Sequence, residues 1–235
     1  MRKEIPNVSR RSILKALSLT PVAAACAVPA WAQATRSGLI STSVCMVTAE
    51  ATEGPFYLDP RLVRADISEG RPGVPLRQLI QVVTADCRPV EGARVDLWHC
   101  DAAGNYSGYA RQGSDTVTDT SGQTFLRGTQ PTDRDGIARF ETIYPGWYQG
   151  RATHMHYKIF VDDRTVLTSQ IFFPDALSES LYRNAAPYAG RPASRRVVNT
   201  RDRIAQRAGE AAHAAVREAG GGYVASLVVG IAPGG

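Results

Sequence analysis

The sequence predicts an all-β fold, a sandwich of mainly antiparallel strands with long loops gathered at one end. Three observations point there: short apolar runs alternate with period two, turn-forming residues separate them at regular spacing, and Gly and Pro punctuate the chain. The 235 residues suffice for one domain with a core of its own. Residues 33–75 read as an extended amino-terminal arm and residues 76–235 as the sandwich domain. Leu79-Ile80-Gln81-Val82-Val83 makes a strand closed by Pro89 and the Glu91-Gly92 turn. Ala93 to Cys100 alternates cleanly, and Asp135-Gly136 introduces Ala138 to Ile143. Further strands are expected over 154–161 and from Thr165 to Phe173. An alanine-rich helix is expected from Asp202 to Ala219, ended by Gly220-Gly221-Gly222, before a last strand from Tyr223 to Val229. There is no internal repeat and no low-complexity segment.

The first 32 residues stand apart as an export leader. Ser9-Arg10-Arg11-Ser12-Ile13-Leu14-Lys15 is a twin-arginine pattern, an apolar stretch runs on to Ala30, and Ala30-Trp31-Ala32 is a cleavage signature. Cleavage is expected near Ala32 or Gln33, by way of the twin-arginine export machinery, giving a periplasmic or extracellular protein. Lipidation at Cys26 is a weaker alternative, because the large aliphatic residue three positions before it is missing. The leader carries Arg2, Lys3, Arg10, Arg11 and Lys15 against Glu4, a net of +4. The whole chain is +5, so the mature protein is near +1 and its charge gives no argument for nucleic acid. No later stretch is apolar for long enough to span a membrane, so no stable membrane association is expected after cleavage. Three cysteines remain. Cys45 and Cys87 are the expected disulfide pair of an oxidising compartment, and Cys100, ending an apolar strand, is expected as a buried thiol; spacing by itself does not settle the pairing.

The feature that bears most on chemistry is His154 and His156 in Arg151-Ala152-Thr153-His154-Met155-His156. On a strand, residues i and i+2 share a face, so two imidazoles there supply half of a coordination sphere. A pair of packed or exposed histidines is the plainer reading of any His-x-His. Tyr144-Pro145-Gly146-Trp147-Tyr148 stands just upstream, and Gly104-Asn105-Tyr106-Ser107-Gly108-Tyr109 follows the Leu97-Trp98-His99 strand. Two phenolates joined to two imidazoles would favour a hard trivalent cation such as Fe(III) over Zn(II). On spacing alone, both tyrosines packed with their hydroxyls in water stands first.

Four segments, in order, change that balance. Glu53-Gly54-Pro55-Phe56-Tyr57, Asp96 to Tyr106, Thr142 to Tyr148 and Arg151 to His156 resemble the intradiol ring-cleavage dioxygenases, the family of the catechol and protocatechuate dioxygenases. The resemblance covers roughly residues 45–175. It implies a non-haem Fe(III) held by Tyr106, Tyr148, His154 and His156, with Arg151 stabilising negative charge on the substrate and Gln170 a polar neighbour of the iron. Tyr148 is implied to leave the metal and take up a proton when a catechol binds. Attack by O2 and hydrolysis of a cyclic anhydride then give a muconate-type dicarboxylate containing both oxygen atoms. No organic cofactor is required. The Gly-Asn-Tyr context selects Tyr106 over Tyr109 as the first phenolate.

His99 matches no ligand position and is expected to be packed and hydrogen-bonded, while His213 is expected on a solvated face of the alanine-rich helix. Two departures from the family pattern matter. Only five residues separate Tyr148 from His154, where cytosolic members have a longer loop, so a more open substrate pocket is expected. The helical dimerisation region of the catechol dioxygenases is also missing, and neither oligomer nor catechol is specified. Two other readings stay open. One is an exported, non-catalytic sandwich that binds phenolic or carbohydrate ligands. The other is a Zn or Cu enzyme built on His154 and His156, which lacks a third histidine or carboxylate at matching spacing.

Overall fold

The computed structural model describes residues 47–59, 61–112, 115–191 and 196–232. The leader, Cys26 and Cys45 lie outside the described residues. Cys87 is disulfide-bonded, its partner lying outside them as well, and Cys100 is a buried free thiol.

Among the described residues, eight strands form two four-stranded sheets. In chain order they are β1 (Pro75–Thr84), β2 (Arg94–Trp98), β3 (Arg127–Pro131), β4 (Ile137–Ile143), β5 (His154–Val161), β6 (Arg164–Phe172), β7 (Ala215–Ala219) and β8 (Gly222–Ile231). One sheet has the order β4-β1-β8-β7 and the other β3-β2-β5-β6. Every pairing is antiparallel except that of β1 with β8. Three short helices follow β6: α1 (Asp175–Asn184), α2 (Ala186–Ala189) and α3 (Arg203–Ala208).

The core lies between the sheets. Leu76, Ile80 and Val82 of β1 and Ala225, Leu227 and Val229 of β8 meet Val95 and Leu97 of β2 and Met155, Tyr157 and Ile159 of β5. Since side chains alternate across a strand, the other face of the second sheet must carry Asp96, Trp98, His154, His156, Gln170 and Phe172. That face is buried too. The arm crosses it, with Ala51 N bonded to Thr168 O, Gln170 Nε2 to Thr52 O and the Tyr57 hydroxyl to Asp96. Elsewhere it forms isolated bridges at Val47, Val63 and Asp66 and is tied down by Ile67 and by the Arg64 side chain, which donates to the carbonyls of Thr124 and Arg127.

One expected element is corrected. The alanine-rich segment is not a helix from Asp202 to Ala219. Asp202 does cap a helix, accepting from the N–H groups of Ile204 and Ala205, but α3 ends at Ala208. Gly209 turns the chain away at φ 73°, Glu210–Ala212 forms a single 3₁₀ turn, and Ala215–Ala219 pairs with β8 as an edge strand. Gly220 and Gly221, both at positive φ, are the hairpin turn between β7 and β8 and not a helix stop. His213 therefore sits beyond the helix, exposed, bridged to Phe172. Strand β3 and helix α1 were not expected from the sequence at all.

Candidate metal and catalytic site

The site forms where β2 ends and β5 begins, on the outward face of the second sheet. His156 pairs in register with Trp98 on one side and Gln170 on the other. The Trp98 indole stacks on its ring at 5.1 Å and 14°. His154, two residues earlier on the same face, points the same way, and the two Nε2 atoms are 3.0 Å apart. His154 Nδ1 lies 2.7 Å from the Ala152 carbonyl oxygen, which can only accept, so Nδ1 carries the proton and Nε2 presents a lone pair.

Two loops bring the phenols. Tyr106 follows β2 and is fully buried, its ring edge-on to His156 and Tyr148. Its backbone is held by Gln112, whose side chain bonds both the Tyr106 N–H and C=O. Tyr148 lies between β4 and β5, and its hydroxyl is 3.0 Å from His154 Nε2. A close approach at Gly146 locks the loops together. Gly146 N–H donates to Asp101 O at 3.2 Å, and a Cβ on Gly146 would lie 2.2 Å from that oxygen. Tyr182 of α1 secures the same turn by donating to Pro145 O. Tyr109 is turned away, its hydroxyl donating to Tyr57 O.

Arg151 closes the rim. Its Nη1 is 3.3 Å from His154 Nε2, Nη2 donates to Gln170 Oε1, and Nε donates to Asp202 Oδ2 at 2.9 Å. The structure thus brings together all six residues singled out in the sequence: Tyr106, Tyr148, Arg151, His154, His156 and Gln170. It adds Asp202, which sequence reasoning placed only as a helix start; the N-cap signal marked the position but not its contact with Arg151. His99, by contrast, is buried elsewhere, bonded through Nδ1 to Cys100 O and through Nε2 to the Thr142 hydroxyl, each at 2.8 Å.

The electrostatics suit a cation. Burial, helped by the neighbouring Arg151 guanidinium, pushes the His154 imidazole down to about 3. Burial and then His154 hold His156 well below its ordinary value, so both rings are neutral ligand forms. Burial pushes the Tyr148 hydroxyl up to about 12, although Arg151 pulls the other way, and holds Tyr106 well above the ordinary phenol range. Only a strongly polarising ion would deprotonate phenols so placed. The Tyr106 hydroxyl is buried beside the Tyr148 hydroxyl and makes no hydrogen bond of good geometry, a cost that ligation would remove. The 3.0 Å spacings of Tyr148 Oη to His154 Nε2 and of His154 Nε2 to His156 Nε2 equal the edge between two ligands at right angles on an ion about 2.1 Å from each. Among the described residues no three His, Cys, Asp or Glu side chains cluster to hold a metal, so the phenols are needed to complete a donor set here.

The Dioxygenase family profile matches residues 53–212, which includes every one of these side chains. An intradiol ring-cleavage dioxygenase from Tetranychus urticae superposes with a TM-score of 0.72 at 30% identity, over 80% of this chain and 96% of that one. The chain belongs to the intradiol ring-cleavage dioxygenase family. The dioxygenase domain of a dioxygenase–carbohydrate-binding protein fusion from Streptomyces sp. SirexAA-E is a more distant structural relative of this family member, with a TM-score of 0.59 at 28% identity over 79% of this chain and 97% of that one. By sequence, the chain is 30% identical over 149 residues to a chlorocatechol 1,2-dioxygenase of Cupriavidus pinatubonensis, covering 52% of this chain and 53% of that protein. A catechol 1,2-dioxygenase of Acinetobacter lwoffii is 27% identical over 146 residues, covering 52% of this chain and 45% of that protein. The chain spans about half the length of these curated relatives.

Proposed function

We propose that this protein is a non-haem Fe(III) dioxygenase that cleaves a catechol-type ring between its two hydroxyl-bearing carbons with O2, giving a muconate-type dicarboxylate. The observation that carries the reading is the convergence of Tyr148 Oη, His154 Nε2 and His156 Nε2 at 3.0 Å spacings beside the buried Tyr106 hydroxyl. Held by these four side chains, Fe(III) would supply the Lewis acidity that lets both catechol hydroxyls give up their protons and would make the ring more reactive toward O2. The chain's own residues do the rest. The Ala152 carbonyl fixes the His154 ring with its Nε2 lone pair toward the site, and stacking on Trp98 holds the orientation of the His156 ring before any ion arrives. Tyr148 Oη is the proton acceptor for the substrate. A phenol whose acidity burial has suppressed to about 12 is a strong base once it has lost its proton. Arg151 directs its guanidinium over the same place, where negative charge builds on the ring. Phe56, Trp98 and Tyr57 wall the neighbourhood with aromatic surface that keeps water away.

Purified protein loaded with Fe(III) should be red to burgundy from phenolate-to-iron charge transfer and should consume one O2 per catechol, with a panel of substituted catechols ranking the substrates. Tyr148→Phe should shift or weaken the visible band while part of the iron remains bound. A colourless loaded protein that binds phenols or sugars without consuming O2 would overturn the reading in favour of a non-catalytic binding sandwich. The five-residue Tyr148–His154 connection supports a pocket more open than that of cytosolic relatives. The twin-arginine pattern at Arg10 and Arg11 supports export.

A further inference from the structure

We propose that Asp202 is the positioning residue for Arg151 and, through it, for the substrate's developing charge; the inference rests on the dioxygenase reading above. A guanidinium has five N–H groups fixed in one plane, so pinning Nε fixes where both terminal nitrogens point. In Arg151 that pin is Asp202 Oδ2, at 2.9 Å. The carboxylate cannot drift, because four donors from two distant segments hold it. Oδ2 also accepts the Ala152 N–H at 2.8 Å, and Oδ1 accepts the N–H groups of Ile204 at 2.8 Å and Ala205 at 3.3 Å. Asp202 is 3% exposed.

Charge requires the same partner. Arg151 Nη1 stands 3.3 Å from His154 Nε2, the lone pair that faces the proposed ion. A bare guanidinium so near a cation would swing outward to water, to which its side chain is already 16% exposed. The Asp202 carboxylate offsets that repulsion and holds the guanidinium inward. Gln170 Oε1 takes Nη2 but carries no charge, so it can direct the group without neutralising it. Asp202 touches neither ligand nor substrate; it acts on both through Arg151. It also caps α3, which ties the rim of the site to the carboxy-terminal segment of the fold.

Asp202→Ser keeps the helix cap, because serine caps as well as aspartate, but is too short to reach Arg151 Nε or the Ala152 N–H. The first measurement is made on the iron-free full chain, where the Arg151 Nε–H resonance is assigned by its loss in Arg151→Gln. That proton should exchange slowly with solvent in the unmutated protein and about tenfold or more faster in Asp202→Ser. In the iron-loaded protein, Asp202→Ser should keep its iron and its charge-transfer band. Its kcat for catechol should fall roughly a hundredfold, as expected for a misplaced electrostatic group. The double variant Asp202→Ser/Arg151→Gln should be no slower than Arg151→Gln alone. Equal Nε–H exchange with and without Asp202, a kcat within about threefold of the unmutated protein, or additive losses in the double variant would each overturn the proposal. If the serine variant does not fold, Asp202→Asn, which keeps the cap and the length but not the charge, is read by the same criteria. An unmutated protein that turns over no catechol counts against the function alone, and the exchange measurement then still decides whether Asp202 holds Arg151.

Discussion

The buried histidines of this chain serve two different ends, and the difference lies in what faces each ring nitrogen. His154 and His156 aim their Nε2 atoms at one another and at a phenol, whereas both nitrogens of His99 are spent on Cys100 O and the Thr142 hydroxyl. His154→Ala or His156→Ala should therefore abolish iron binding, measured as bound metal after gel filtration. His99→Ala should retain it while losing about 1–3 kcal/mol of stability to an unsatisfied buried group. Equal iron loss in all three folded variants would remove the distinction. His99 also sets a pH dependence. Burial pushes its imidazole down to about 4, below the ordinary value of an unfolded histidine. Between pH 4 and about 6.5 the unfolded chain binds the extra proton and the folded chain does not, so stability from this residue is complete above that window and is lost as pH falls through it. In urea melts of the iron-free protein, the unmutated chain should lose up to about 1.4 kcal/mol per pH unit relative to His99→Gln across the window. Parallel pH profiles for the two would contradict the assignment. The alternation of a strand made the contrast between His99 and the pair legible in the sequence. The contact from Asp202 to Arg151 was not, because it joins residues 51 apart through a helix cap that has an adequate local explanation of its own.

At the level of elements, what the sequence concealed was concealed for identifiable reasons. Strand β5 was legible to the residue, since apolar Met155, Tyr157 and Ile159 alternate with the polar face. Strand β3 reads Arg-Gly-Thr-Gln-Pro, with little strand propensity and a proline that only an edge or a strand end tolerates; it exists because β2 supplies its partner. The segment 202–219 failed in the opposite sense. Its alanines favour helix, but Gly209 interrupts it and pairing with β8 outweighs local propensity over Ala215–Ala219. The connections carry the sharper test. Gly146 allows the loop bearing Tyr148 to lie directly on the backbone that leads to Tyr106, with Asp101 O and Ala102 O 2.2 and 2.7 Å from where a Cβ would stand. Backbone atoms cannot yield as a flexible side chain does, so Gly146→Ala should force the loops apart. The expected result is a folded sandwich by circular dichroism with iron affinity reduced about tenfold or more, a loss typical of perturbing what supports a metal ligand. Wild-type iron affinity in that variant would show that the two loops are positioned independently.

On the scale of the whole molecule, the proposed ligands come from both an interior strand and the loops that cover its outward face. Their convergence depends on closure of both the sandwich and the arm. Tyr106 and Tyr148 reach the histidines only when their loops pack at Gly146, and the arm is bonded to β6 through Ala51 and to Gln170 through Thr52. An unfolded chain has no such site, so metal binding and folding should be coupled. That coupling would give the proposed twin-arginine leader a physical rationale. Twin-arginine transport moves proteins already folded, and a site of mixed oxygen and nitrogen donors would not choose ferrous iron over other divalent ions by affinity order alone, since several bind such sets more tightly. Loading before export lets the cell decide which metal is on offer. We therefore expect that Arg10→Lys combined with Arg11→Lys leaves the precursor in the cytoplasm, folded and carrying iron. Cell fractionation with metal analysis of the retained precursor checks both halves. Mature protein outside the cytoplasm at normal levels would show that the arginine pair is not an export signal, and a retained precursor without iron would show that loading follows transport.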